Sequence, residues 1–119
     1  MELTQRSSLY GLGVHWAHEV AKNYVSNGTK LEIVDLRCLQ PLDFDTVQQS
    51  VAKTNKVLLL QEPSMTLGPM SEISSLISER CFKHLDAPIM RCSSLDMPIP
   101  YNKNLEKGYL ANSRLEENY

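Results

Sequence analysis

The central strand of the chain is predicted by four consecutive apolar residues, Val57 to Leu60, which are followed by Gln61 and Glu62. Because the run shows no alternation of polar and apolar residues, it predicts a strand that helices cover on both faces. A loop containing proline, serine and glycine, residues 63–68, then leads into a helical pattern. In a parallel sheet such a loop lies at the carboxyl ends of the strands, where ligands bind. It is therefore the first region to search for a function.

Hydrophobic periodicity around this strand predicts a regular alternation of strands and helices. The predicted strands are Thr4–Tyr10, Leu31–Leu36, Lys56–Glu62 and Ala87–Cys92, and the predicted helices run from Val14, from Asp43, from Gly68 to His84 and within Leu105–Glu117. Asp43 is the expected N-cap of the second helix, and Gly28 is the expected end of the first. Short connections imply right-handed crossovers, so we predict an α/β fold, a three-layer α/β/α domain with a mainly parallel sheet of about four strands.

Length and charge narrow the class of protein. A chain of 119 residues with a formal net charge of -2 fits one domain and lacks the basic surface of a nucleic-acid binder. Its apolar stretches are too short to span a bilayer, and its first residues lack the apolar core of a signal peptide. Cys38, Cys81 and Cys92 have no CxxC spacing and indicate reduced thiols. We expect a cytoplasmic protein, or a mitochondrial-matrix protein in a eukaryote, that binds neither nucleic acid nor membrane.

Gly11 and Gly13 follow the first predicted strand, and Asp35 lies near the end of the second, which imitates part of a dinucleotide-binding fingerprint. Glycines at these positions let the backbone approach a pyrophosphate at a helix N-terminus. Trp16 stands at the third glycine position, however, where an indole would prevent close packing of helix on strand. A stand-alone dinucleotide-binding module is kept as an alternative, which a heat of binding in calorimetric titration with a nicotinamide cofactor would identify.

Other polar residues lack the spacing of a catalytic or metal site. Those considered are His15, His18 and Glu19 on the first helix, Ser64 and Ser71 near the central loop, and Glu62 with Asp96. The histidines and the glutamate do not form HExxH, and neither serine has the GxSxG context of an activated nucleophile. The two acids would pair only if folding brings them together. We therefore expect no catalytic residue, cofactor ligand or metal ligand in this chain.

The string Asp96-Met97-Pro98-Ile99-Pro100-Tyr101 is the most unusual in the sequence. Its two prolines restrict the backbone to an extended path, and its tyrosine offers a large amphipathic contact. The string either tethers the C-terminal helix to the sheet or provides a contact surface for another chain.

Several strings match one family in order and spacing over nearly the whole chain. They are Val34-Asp35-Leu36-Arg37, Pro41-Leu42-Asp43, Ser71-Glu72-Ile73, Leu85-Asp86-Ala87-Pro88-Ile89 and Asp96-Met97-Pro98-Ile99-Pro100-Tyr101. With them, the chain resembles the C-terminal domain of the beta subunit of thiamine-diphosphate-dependent 2-oxo acid dehydrogenases, of the pyruvate and branched-chain type. This domain belongs to the transketolase C-terminal family. The chain departs from it at Gln61, where histidine is usual, at Leu67-Gly68-Pro69, and at Ala111, where proline is usual.

The resemblance implies that this domain contributes contacts while other parts of the enzyme perform the chemistry. The alpha-type portion would hold the diphosphate and magnesium, and the beta subunit's preceding domain would hold the aminopyrimidine of thiamine diphosphate, with no cofactor in this domain. The implied partners are a second beta-type chain, the alpha-type portion and the acyltransferase core. The chain would then be a piece of a longer dehydrogenase chain, with a pyrimidine-binding domain before Glu2. Transketolase and deoxyxylulose-phosphate synthase are the alternatives of the same fold.

We expect partner contacts at the loops that follow the third and fourth strands and at one further acid. The candidates are Gln61, Glu62, Ser64, Met65, Asp96, Pro98, Pro100 and Tyr101, together with Asp86. By resemblance, Asp86 would face the small basic binding domain of the acyltransferase and pair with an arginine there. The resemblance also implies the strand order second, first, third, fourth, which would leave Leu31–Leu36 as an unpaired sheet edge and a site for self-association.

Overall fold

The computed structural model describes residues 4–9, 11–25 and 30–111, with side chains described for 11–22 and 30–111. The strands are β1 Thr4–Leu9, β2 Lys30–Asp35, β3 Val57–Ser64 and β4 Met90–Ser94. The helices are α1 Gly13–Val25, α2 Phe44–Thr54, α3 Pro69–Cys81 and α4 Lys103–Tyr109, and a 3₁₀ turn covers Phe82–His84. The predicted helix end at Gly28 and any helix beyond Ala111 lie outside the described residues.

The four strands form one parallel sheet in the order β2-β1-β3-β4. This confirms the predicted fold class and the predicted strand order. Within the described part of the chain, β2 pairs with β1 alone, so the strand predicted at Leu31–Leu36 does lie at a sheet edge. Self-association through that edge stays a prediction. Lys53 Nζ on α2 lies 2.5 Å from Glu32 Oε2 on β2, which ties this edge strand to the helix above it.

Several element boundaries differ from the predicted ones. β3 continues two residues beyond Glu62, to Ser64, and β4 begins at Met90 instead of Ala87. The late start of β4 has a local cause, because Pro88 has no backbone N–H to donate to a neighbouring strand. Helix α3 ends at Cys81 and is followed by a 3₁₀ turn, whereas the sequence predicted one continuous helix to His84.

The sheet divides the core into two apolar layers, as a strand with alternating side-chain directions requires. Leu58 and Leu60 face α1, where they pack with Trp16. Val57 and Leu59 face the opposite side, where they pack with residues of α2 and α3. All four residues of the central run are buried, which confirms that β3 is covered on both faces.

The second helix begins as predicted. Asp43 accepts hydrogen bonds from Thr46 N at 3.1 Å and from Thr46 Oγ1 at 2.6 Å, and these bonds hold the pKa of its carboxyl below the usual value. Phe44, Val47 and Val51 form the buried stripe of this helix. A capping carboxylate at a helix N-terminus is stabilised by the free N–H groups and the helix dipole there.

Candidate functional site

Two loops lie at the carboxyl edge of the sheet, residues 65–68 after β3 and residues 95–102 after β4. Asp96 joins them, because its carboxylate accepts a hydrogen bond from Thr66 N at 3.0 Å and another from Thr66 Oγ1 at 2.5 Å. These two bonds hold the pKa of Asp96 below its usual value and so keep the carboxylate charged. Both carboxylate oxygens of Asp96 therefore accept hydrogen bonds from Thr66. The carboxylate pair of Glu62 and Asp96 that the sequence analysis considered is not among the contacts of the described residues.

Gln61 supports the first of these loops from inside the protein. Its side chain is only 2% exposed. Gln61 Oε1 accepts a hydrogen bond from Met70 N at 3.0 Å, and Gln61 Nε2 donates to the carbonyl oxygen of Ser64 at 2.6 Å. The amide of Gln61 thus caps the first turn of α3. The N-cap residue of this helix, Gly68, has no side chain that could do so. The expected role of Gln61 as a surface contact is corrected, because both polar atoms of the amide are used internally.

A pocket of about 310 Å³ lies at the carboxyl ends of β1 and β3. The chain passes from β1 to α1 on one face, and from β3 to α3 on the other. Because β1 and β3 are neighbours, the crevice between their carboxyl ends is the switch point at which ligands bind in open parallel sheets. Gly11 after β1 and Glu62 with Pro63 at the end of β3 line the pocket.

The rest of the pocket wall comes from the last loop and the last helix. Ile99 contributes from the loop, and Glu106, Tyr109 and Leu110 contribute from α4 and the residue after it. Sequence reasoning did not select these four residues as site residues. The i, i+3, i+4 spacing of Glu106, Tyr109 and Leu110 is the signal that could have found them, because it puts them on one helix face.

Large apolar side chains around this edge are left open to solvent. Leu67 is 96% exposed, Ile99 is 65% exposed and Tyr101 is fully exposed. Met97 and Leu105 are at least half exposed in the same region. Large apolar side chains left exposed near one another are a common feature of protein interfaces. We name Leu67, Ile99 and Tyr101 the carboxyl-edge patch.

The structure separates the predicted contact residues into two groups. Glu62, Ser64, Met65, Asp96, Pro98, Pro100 and Tyr101 lie on the loops and strand ends of the carboxyl edge, with Gln61 beneath them. Asp86 lies at the opposite edge, before β4, where its N–H donates to the carbonyl oxygen of Asn55 at 2.9 Å. A single partner surface covering all nine candidates is therefore not possible without wrapping around the domain.

Asp86 belongs to a second, shallower groove of about 540 Å³. Phe82, which is 74% exposed, and Ile89 contribute apolar walls, and Ser74 and Ser78 contribute hydroxyls. Asn55 Nδ2 donates to the carbonyl oxygen of His84 at 2.7 Å, which ties the turn before Asp86 to the end of α2. This groove thus presents one exposed carboxylate beside an exposed aromatic ring.

The other candidate chemistries find little support in the geometry. Trp16 is 8% exposed and lies in the core between α1 and the sheet, so a dinucleotide fingerprint is incomplete at the point where helix and strand must approach. Ser71 Oγ accepts a hydrogen bond from Arg91 Nη1 at 2.8 Å, which is a positioning contact and not an activating base. Among the residues described, no three histidines, cysteines or acids lie close enough together to hold a metal ion.

The three cysteines differ in their exposure to solvent. Cys81 and Cys92 are buried, Cys38 is exposed, and none of the three is joined in a disulfide in the described structure. Within the described ranges, no helix combines the length and apolar character that crossing a membrane would require.

Comparison with known proteins shows the family. A model described as the transketolase C-terminal domain matches residues 9–114. Over 104 residues the chain is 40% identical to the 2-oxoisovalerate dehydrogenase subunit beta of Bacillus subtilis (strain 168), which covers 87% of this chain and 32% of that protein. Over 86 residues it is 46% identical to the pyruvate dehydrogenase E1 component subunit beta of Cyanidium caldarium, which covers 72% of this chain and 26% of that protein.

A third relative is the mitochondrial 2-oxoisovalerate dehydrogenase subunit beta of Dictyostelium discoideum, 48% identical over 73 residues, or 61% of this chain and 20% of that protein. The chain thus spans about a third or less of the length of these relatives. The chain belongs to the transketolase C-terminal domain family, and its relatives are beta subunits of 2-oxo acid dehydrogenases.

Proposed function

We propose that this chain is the C-terminal, subunit-association domain of the beta-type subunit of a 2-oxo acid dehydrogenase decarboxylating component. The parent reaction would be thiamine-diphosphate-dependent oxidative decarboxylation of a 2-oxo acid, with acyl transfer to a lipoyl group. The assignment of the parent enzyme is supported by the relatives, which are named as beta subunits of 2-oxoisovalerate and pyruvate dehydrogenases. The exposure of the carboxyl-edge patch is the observation that supports an association role for this domain.

The patch has the properties of a preformed protein interface. Tyr101 is an aromatic side chain that exposes its whole surface, and such residues are enriched among those that carry most of the binding energy of an interface. The loop that presents it is held to the neighbouring loop by the two hydrogen bonds between Asp96 and Thr66. Because the loop is already ordered, a partner that covers it need not supply the free energy of ordering it.

The proposal assigns the cofactor to other parts of the enzyme. Thiamine diphosphate, when bound there, supplies the carbanion stabilisation that decarboxylation of a 2-oxo acid requires. In this proposal the cofactor and magnesium would be held by the alpha-type portion and by the domain that precedes this one in the beta-type subunit. The proposal assigns no step of the reaction to residues of this chain. In this proposal their task is to hold the alpha-type portion, the second beta-type chain and the acyltransferase core.

Replacing Tyr101 with alanine should weaken assembly of the complete enzyme about tenfold, because a fully exposed ring can lose binding energy without loss of fold stability. The dissociation constant between alpha-type and beta-type subunits would be measured by analytical ultracentrifugation of the purified enzyme. The thermal midpoint of the unassembled beta-type chain should not change.

Phe82→Ala is the matched control, since Phe82 is an exposed aromatic residue at the opposite edge of the sheet. It should leave the association of the two subunit types unchanged. Equal dissociation constants for the wild type and Tyr101→Ala would contradict the proposed association role of the carboxyl-edge patch.

The groove around Asp86 is the proposed docking site for the acyltransferase. An exposed carboxylate next to an exposed phenyl ring suits an arginine, which can pair with the first and stack on the second. Asp86→Ala in the complete enzyme should reduce acyltransferase binding about threefold to tenfold and leave decarboxylation by the free component unchanged. Surface plasmon resonance on the immobilised acyltransferase would measure the binding. Docking that is insensitive to this substitution would remove the hypothesis.

The alternatives of the same fold are transketolase and deoxyxylulose-phosphate synthase. Their C-terminal domains would share the parallel sheet, so the fold by itself favours none of the three. The beta-subunit relatives favour a 2-oxo acid dehydrogenase, at 40% and 46% identity over most of the chain.

A further inference from the structure

The pocket at the switch point contains two carboxylates. Glu62 and Glu106 both line it, and neither forms an ion pair or a side-chain hydrogen bond in the described structure. The described ion pairs, Arg37 with Asp35 and Lys53 with Glu32, lie elsewhere. Within residues 11–22 and 30–111, no lysine or arginine balances these two acids through an ion pair, so they give the described pocket wall a negative potential.

The walls between these acids are apolar. Pro63, Ile99, Tyr109 and Leu110 supply them, and Tyr109 is buried while Leu110 packs against the core. These walls are anchored, because the N–H of Leu95 donates to the carbonyl oxygen of Tyr109 at 3.2 Å and so ties the last helix to the start of the preceding loop. A pocket with firm apolar walls and carboxylates at its surface fits a cationic head on an alkyl stem.

The location of the pocket points to a ligand independently of its charge. It lies in the crevice outside the carboxyl ends of β1 and β3, where the fold leaves an opening between connections that run to opposite faces. Ile99 belongs both to the pocket wall and to the carboxyl-edge patch, so the opening is continuous with the proposed interface.

We infer that this pocket receives a lysine or arginine side chain from the partner chain that covers the carboxyl-edge patch. The alkyl stem would lie along Ile99 and Leu110, and the ammonium or guanidinium group would pair with Glu62 and Glu106. The inference rests on the proposed association function and names the chemistry of the partner at its centre. The partner surface would therefore carry a basic residue surrounded by apolar ones.

The pocket is tested on its own with n-butylguanidinium chloride, titrated into the isotopically labelled full chain and followed by amide chemical shifts. The shifts should concentrate at Ile99, Tyr109 and Leu110 and saturate at millimolar concentration. Glu62→Gln and Glu106→Gln should each weaken the probe about threefold, the range of a solvent-accessible ion pair. Glu79→Gln, at an exposed acid on α3, is the matched control and should bind the probe as the wild type does.

Neutral n-butanol separates charge recognition from simple apolar contact. If butanol shifts the same amides at the same concentration, or if Glu79→Gln weakens the probe as much as Glu62→Gln, the inference is overturned. Spectra of each variant in the absence of probe verify that the fold is retained.

Assembly of the complete enzyme then tests the docking step. Glu62→Lys should weaken subunit association at least tenfold, because a lysine would repel the incoming cation. Unchanged association in Glu62→Lys overturns the inference, whereas the proposed association function is judged by Tyr101→Ala. The two failures are therefore distinguishable.

Discussion

Alanine in place of Gly68 is expected to lower the free energy of unfolding by about 2 kcal/mol. The added Cβ would clash with the Gln61 amide and break its two buried hydrogen bonds. A Cβ at this position would lie 2.1 Å from Gln61 Nε2 and 2.6 Å from Gln61 Oε1. Gln61 is buried and holds Met70 N and the carbonyl oxygen of Ser64, so its amide cannot move aside without losing these contacts. Urea unfolding of the full chain would measure the difference.

A double-mutant cycle isolates the steric clash between the new Cβ at position 68 and the Gln61 amide. In a Gln61→Ala background the amide is gone, so adding Gly68→Ala should cost less than about 0.5 kcal/mol. The backbone of Gly68, with φ of -74° and ψ of 157°, accepts alanine without strain. Gly108→Ala is the control, because a Cβ there meets no atom within 4 Å and alanine in a helix is favourable by about 0.5–1 kcal/mol. Equal costs of Gly68→Ala in both backgrounds would contradict the contact.

Leu59→Ala should lower the free energy of unfolding by about 3 kcal/mol, within the range of Leu→Ala changes in protein cores. Leu59 is fully buried in the layer between the sheet and α2 with α3, where neighbouring side chains leave little room to collapse into the cavity. A domain of this size has a total stability of about 5–15 kcal/mol, so the loss is a substantial part of it.

Leu67→Ala is the same substitution at a side chain that is 96% exposed. It should change the free energy of unfolding by less than about 0.5 kcal/mol, because almost no apolar surface is lost from the interior. Urea unfolding of both variants, fitted with one common m-value, would compare their free energies of unfolding. Similar costs for the two leucines would mean that Leu59 is not enclosed as described.

Secondary structure and the order of the elements were largely predictable. The run Val57 to Leu60 has no polar alternation, and the structure buries all of it. Asp43 was recognised as a cap because a short acid before an apolar stripe satisfies the free N–H groups of a helix. The order of the strands came from the family resemblance and agrees with the pairing observed. Each of these signals is local, or belongs to the family as a whole.

The site was predictable only in outline. The loops after β3 and β4 were selected for partner contacts, and the structure places both at the carboxyl edge of the sheet, where the ends of parallel strands meet. The burial of Gln61 was not foreseen, because a polar residue after an apolar run usually marks an exit to solvent. The lining by Glu106 and Tyr109 was missed for another reason: it depends on how α4 packs back against the sheet.

The sequence by itself determined which segments become strands and helices, because burial periodicity and capping depend on residues close together in the chain. It also determined the family, through short strings spread along the chain. Only the tertiary structure decided that Gln61 caps α3, that Asp96 holds Thr66, and that Glu62 shares a pocket with Glu106. These contacts join residues far apart in sequence or turned toward the interior, and their geometry exists only once the helices have packed on the sheet.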